Sequence, residues 1–206
     1  MKFFLISFFV SFIFNHKAFS LDTIAKQAIL YDYETKTIIF EKNSEELMSP
    51  SSMSKIMTIY YVFKKIKDGD LKLTDKFKVS KKAWKKGGSK MFVNVNTMVS
   101  VEDLIRGIIV QSGNDACIAI AEGISGSEEL FAEELNLLAK EIGMMNSSFT
   151  NSTGWPDPDH LTTIQDLLTL TVRTIEDFPE LYYYYAEKEF TYGGIRPVSY
   201  THLTLP

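Results

Sequence analysis

Ser49-Pro50-Ser51-Ser52-Met53-Ser54-Lys55-Ile56-Met57-Thr58-Ile59-Tyr60-Tyr61-Val62-Phe63 is the stretch on which the reading of this 206-residue chain turns. It opens like a helix, with a serine cap and a proline in the first turn. Met53, Ile56, Met57, Tyr60 and Phe63 follow at helical spacing, and Asp68-Gly69-Asp70 closes the element. Ser52 and Lys55 are three apart, so they are neighbours on one helix face. A serine hydroxyl is a weak nucleophile and needs a base. Lysine can serve when burial or a neighbouring cation depresses its pKa. The start of a helix also aims backbone N–H groups outward, as an oxyanion needs. Taken alone, Ser-x-x-Lys is a common pattern that a polar helix face explains as well.

Outward from this stretch, residues 26–33 and 36–40 are short β-branched and aromatic runs around Glu34-Thr35, which predicts a β-hairpin. Residues 71–80 alternate loosely and read as extended. Residues 81–88, Lys-Lys-Ala-Trp-Lys-Lys-Gly-Gly, read as a basic loop, either a solvated rim or a surface that attracts an anionic polymer. Ser100 with Asp103 caps a helix through Val110. An alanine-rich buried helix is expected over 114–123. Residues 127–142 predict an amphipathic helix with Leu130, Phe131, Leu135, Leu138 and Ile142 inward. A loop over 146–160 leads to a helix opened by Thr163 and Asp166, and residues 187–192 read as a strand.

A second constellation, Ser112-Gly113-Asn114, interrupts two apolar helices; a polar tripeptide enclosed in this way is either a cap or functional. A Ser-His-Asp triad would rest wholly on His160, because His16 and His202 lie near the ends. His160 reads instead as a loop hydrogen bond or a groove rim. Cys117, the single cysteine, reads as a small core residue and excludes an internal disulfide. One cysteine and three histidines leave little for a metal site, and no cofactor is expected. A net charge of -4 argues against a general nucleic-acid surface.

Both ends read differently from the rest. Residues 3–14 are apolar except for Ser7 and Ser11, behind Lys2, and Ala18-Phe19-Ser20 supplies small residues, so residues 1–20 read as a secretory signal peptide. Residues 198–206 fit no pattern and read as a non-native tail.

Three motifs taken together resemble one family. Pro50-Ser-Ser-Met-Ser-Lys-Ile-Met-Thr58, Gly87-Gly-Ser-Lys-Met-Phe92 and Gln111-Ser-Gly-Asn-Asp-Ala-Cys117 are similar to the D-alanyl-D-alanine carboxypeptidases, the low-molecular-mass penicillin-binding proteins. The 131–143 helix, Asn151-Ser-Thr-Gly154 and residues 187–195 extend the likeness from about residue 24 to Arg196. The resemblance implies a mixed α and β fold of the serine β-lactamase/DD-peptidase type, an α-β-α sandwich with an antiparallel sheet and a helical lobe. It implies Ser52 as acylated nucleophile, Lys55 as its base, Ser112 as proton relay, and Asn114 as the residue that orients Lys55 and binds the substrate amide. It also implies peptidoglycan stem peptides ending in D-Ala-D-Ala and β-lactam antibiotics as partners, and export to the periplasm or the outer face of the cytoplasmic membrane.

The family's third element, Lys-Thr-Gly on a later strand, has no counterpart here. Lys36-Thr37-Ile38 is misplaced and Ser152-Thr153-Gly154 lacks the lysine. Residues 21–197 are therefore expected to be a C-terminally truncated catalytic domain, inactive by itself and without its later sheet strands. The family's peripheral membrane anchor is expected only in the full-length protein. Two alternatives share the scaffold. One is a serine β-lactamase, for which Glu133-Glu134-Leu135-Asn136 would have to supply the deacylating carboxylate. The other is a non-catalytic secreted wall-binding protein, against which the intact Ser52, Lys55, Ser112 and Asn114 argue.

Overall fold

The structure, a computed structural model, describes residues 23–195. The expected signal peptide and the expected tail lie outside the described residues.

The chain opens with the predicted hairpin, β1 (Ala28–Asp32) antiparallel to β2 (Thr37–Lys42). Asp32 Oδ1 closes the turn by accepting the N–H groups of Glu34 and Thr35. The register slips between Leu30 and Tyr31, a bulge that leaves Ile39 without an opposite partner.

After the hairpin come α1 (Ser54–Lys67), β3 (Lys76–Lys78), the short α2 (Lys81–Lys85) and β4 (Met98–Ser100), with β3 and β4 paired antiparallel. Four helices follow: α3 (Val101–Gln111), α4 (Asn114–Ser125), α5 (Glu128–Glu141) and α6 (Ile164–Asp177). Helix α1 packs against α3, α5 and α6, α4 against α3 and α5, and α6 against β1. This mixed fold with antiparallel pairing is the expected class.

The core is helical. Met57, Ile59, Val62 and Phe63 of α1 meet Leu104, Ile105 and Ile108 of α3 and residues 116–121 of α4, all at most 2% exposed. Each large side chain withdrawn from water contributes about 1.5–3 kcal/mol. Side-chain caps fix helix starts at Ser100, which accepts from Asp103 N, and at Thr163, which accepts from Asp166 N, as the sequence predicts; Ser127, accepting from Leu130 N, adds a third.

Five local expectations are corrected. The Ser49 cap does not form. A 3-10 turn over Ser51–Met53, led by Pro50 with no side-chain cap, precedes α1. The basic loop is instead helical over Lys81–Lys85, because Ser80 Oγ accepts from Ala83 N and starts a turn. The β4 partner of β3 went unseen because three residues carry too short a pattern. Leu130 points outward at 51% exposure, since the inward stripe of α5 runs through Phe131, Leu135 and Leu138. Among the described residues, 187–192 are not assigned to a strand. Five residues (Tyr182–Ala186) make a 3-10 turn before them, and an isolated bridge joins Tyr192 to Ile195.

Candidate active site

The start of α1 sets the first pair of functional side chains. Ser51 adopts a left-handed backbone (φ 49°) and turns the chain so that Ser52 is exposed while Lys55, one turn on, is 5% exposed. Lys55 Nζ donates to Ser52 Oγ at 3.0 Å and to the Thr153 carbonyl at 2.9 Å. Burial lowers the Lys55 pKa below the ordinary lysine value. The opposing influence is Cys117, on α4. Its own burial pushes that thiol up to about 12, so it stays neutral and cannot hold a proton on Lys55. A reachable hydroxyl beside a desolvated amine has the geometry that a serine nucleophile and its base require.

The loop after α5 supports this pair from beneath. Thr153 is followed by Gly154, whose φ is +75°. A Cβ there would fall 1.7 Å from the Ser51 carbonyl oxygen and 2.9 Å from Ser54 Oγ, so only glycine permits the approach. Thr58 Oγ1 donates to the Ser152 carbonyl at 2.7 Å, and Ser152 Oγ donates to Glu128 at 2.8 Å. His160 closes the loop. Its Nδ1 accepts from Thr150 N–H at 3.1 Å, so Nε2 carries the hydrogen and donates to Ser54 Oγ at 2.8 Å. Burial lowers the His160 pKa, and the imidazole is neutral in this arrangement.

The second pair lies at the α3–α4 junction. Ser112 ends α3 in a left-handed conformation (φ 53°, ψ 36°), and its hydroxyl has no partner among the described residues. Asn114 begins α4. Its backbone N–H donates to Ser89 O at 2.8 Å and its Nδ2 to Gly87 O at 2.9 Å. Asp115, fully buried, accepts from the N–H groups of Met91, Phe92 and Val93. These bonds strap residues 87–93 onto the α4 N-terminus.

The structure thus brings Ser52 and Lys55 into direct contact. Ser112 and Asn114 make no hydrogen bond to either. The loops bearing Gly87 and Thr153 meet at Gly88, where an added Cβ would lie 2.8 Å from Asn114 Nδ2 and 3.4 Å from the Trp155 ring.

A sequence profile of the D-alanyl-D-alanine carboxypeptidases matches residues 15–203. The chain belongs to that family. It is 41% identical over 178 residues to the D-alanyl-D-alanine carboxypeptidase DacC of Escherichia coli, covering 84% of this chain and 44% of that protein. It is 38% identical over 175 residues to DacA of Haemophilus influenzae, with the same coverage on both sides. Penicillin binding protein 5 from Haemophilus influenzae superposes with a TM-score of 0.84 at 36% identity, over 88% of this chain and 54% of that one. The chain therefore spans less than half the length of these two curated relatives.

Within this carboxypeptidase-family fold, sequence reasoning missed three supporting groups. The Thr153 carbonyl and Asp115 left no signal, because each meets a group distant in sequence: the Lys55 amine for the carbonyl, and the N–H groups of Met91, Phe92 and Val93 for Asp115. His160 was legible as a loop hydrogen bond, but its partner Ser54 was not. Glu133-Glu134 belongs to the packing of α5: Tyr61 and Ser125 both donate to Glu134 Oε2.

Proposed function

We propose that the full-length protein is a serine D-Ala-D-Ala carboxypeptidase that removes the terminal D-alanine from peptidoglycan stem peptides and is inhibited by penicillins. The observation that carries this reading is the buried Lys55 amine 3.0 Å from the exposed Ser52 hydroxyl. The printed names of the relatives, D-alanyl-D-alanine carboxypeptidase and penicillin binding protein, support the substrate and the inhibitor.

In this reaction neutral Lys55 takes the Ser52 proton as Oγ attacks the carbonyl of the penultimate D-alanine. The Thr153 carbonyl holds one Lys55 N–H, which leaves the nitrogen lone pair directed at Ser52. The Ser52 N–H donates to the developing oxyanion. The C–N bond breaks, Ser112 passes a proton to the departing D-alanine amine, and an acyl ester remains on Ser52. Water then adds to that ester, releasing the shortened peptide and returning the proton to the site. Asn114, its Nδ2 held by Gly87, presents Oδ1 to the substrate amide. A β-lactam follows the same first step, but its leaving nitrogen stays tethered, so the ester persists. Residues 1–20 read as a leader, which places the enzyme outside the cytoplasmic membrane, where its substrate is.

The test is D-alanine release from a peptide ending in D-Ala-D-Ala by the full-length protein and its Ser52→Ala variant. Release that disappears in the variant is expected. Turnover of benzylpenicillin without peptide cleavage would favour a β-lactamase instead, and neither activity would favour a wall-binding protein.

A further inference from the structure

Lys86 and Trp155 form a pair that the proposed reaction leaves unused. The Lys86 ammonium lies 3.9 Å from the centroid of the Trp155 indole. The lysine is half-buried, yet no carboxylate among the described residues pairs with it. Its neighbour Lys82 instead bridges Glu128 at 3.0 Å and Glu129 at 2.9 Å. The tryptophan is 43% exposed, but its backbone is fixed, with its N–H donating to Asn151 Oδ1 and Thr153 Oγ1. Loss of water on burial lowers the Lys86 pKa; Glu128, already bridged by Lys82, opposes this only in part, and the Lys82 cation adds to it. An aromatic face offsets that loss only in part.

The position of the pair ties it to the site. Trp155 is two residues past Thr153, whose carbonyl holds Lys55. Lys86 precedes Gly87, whose carbonyl holds Asn114. A Cβ at Gly88 would meet Asn114 Nδ2 at 2.8 Å and the Trp155 ring at 3.4 Å, so the two loops touch there. An ammonium with no ion-pair partner among the described residues, set on an exposed ring at the joint of the loops that hold Lys55 and Asn114, is half of an anion site.

We propose that Lys86, seated on Trp155, is a specificity determinant that selects stem peptides bearing a free carboxylate upstream of the D-Ala-D-Ala end. This rests on the carboxypeptidase reading above and deepens it. The exposed Asp157 and Asp159 on the Trp155 loop oppose a dense polyanion, which fits a single carboxylate rather than a phosphate polymer.

The experiment compares two peptides with the same D-Ala-D-Ala end, one with an upstream carboxylate and one with the corresponding carboxamide. The full-length protein should prefer the carboxylate peptide by roughly two- to fivefold in kcat/KM, the range of a partly exposed charge pair. The preference should shrink as salt is raised. Lys86→Gln should bring the ratio to about one, Lys86→Arg should keep it, and Lys86→Glu should reverse it. Penicillin labelling of the same samples checks that each variant is folded. A ratio near one in the unmodified protein, or one that survives Lys86→Gln, overturns the proposal. Release of D-alanine from neither peptide would instead overturn the carboxypeptidase reading itself.

Discussion

The β1–β2 hairpin and helix α4 look alike as strings of apolar residues and end in opposite surroundings. Residues 116–121 of α4 are completely buried, whereas Leu30, Ile38 and Ile39 of the hairpin are 44%, 44% and 57% exposed. No residue of either strand is buried. The difference lies in what each element packs against: α4 touches α3 and α5, while the hairpin meets the rest chiefly through α6. The chemistry follows the burial. Only the helical region removes enough water to lower the Lys55 pKa and keep Cys117 a thiol, so the site depends on α1, α4 and the 148–160 loop, and hardly on the hairpin.

The comparison breaks most visibly at Lys55. In the full-length protein, Lys55→Ala should slow penicillin acylation by roughly 10²–10⁴-fold, the loss expected for a general base. Stopped-flow measurement of the acylation rate checks this. A change below tenfold would mean that burial at α1 serves stability alone. Beside it, Gly154→Ala should cost about 2–4 kcal/mol, because a Cβ collides with the Ser51 carbonyl and the backbone is left-handed. Urea denaturation with coupled labelling should show stability and acylation falling together.

That collision also shows where legibility ended. The Ser52–Lys55 contact was readable because helix geometry alone places i and i+3 side by side. The hairpin and the Ser100 and Thr163 caps were readable for the same reason, since each is decided within a few residues. The Thr153 carbonyl on Lys55 joins positions 98 apart, and the Ser54–His160 bond joins positions 106 apart. No local pattern encodes such pairs. Residues 81–88 were misread because four lysines suggest solvent, while the Ser80 cap makes Lys81–Lys85 helical. The Glu187–Tyr192 run was misread because β-propensity yields to context: Arg106 holds Glu187 and Gln111 holds the Phe190 carbonyl.

Smaller effects sharpen the contrast through pH. The buried, neutral His160 has a pKa held below 6.5, so the unfolded chain takes up a proton first as pH falls. Stability should therefore be complete above that value, decline as pH drops through it, and level off below the folded-state pKa. His160→Gln should flatten this dependence in urea midpoints measured from pH 8 to about 4.5, spanning the histidine range. An unchanged slope would place the acid sensitivity elsewhere. At the hairpin of the 206-residue chain, Ile39→Thr should change stability by no more than about 0.5 kcal/mol, as for other exposed positions. A loss of several kcal/mol would show that the hairpin is as tightly held as α4.

The central claim is that Ser52, paired with a desolvated Lys55, is the nucleophile. Peptide mapping by mass spectrometry after reaction of the full-length protein with penicillin tests it most directly. One penicilloyl group per molecule on the peptide carrying Ser52, and none in the Ser52→Ala protein, is the predicted result. Stoichiometric adduct on any other residue, or undiminished labelling of the Ser52→Ala protein, would contradict it.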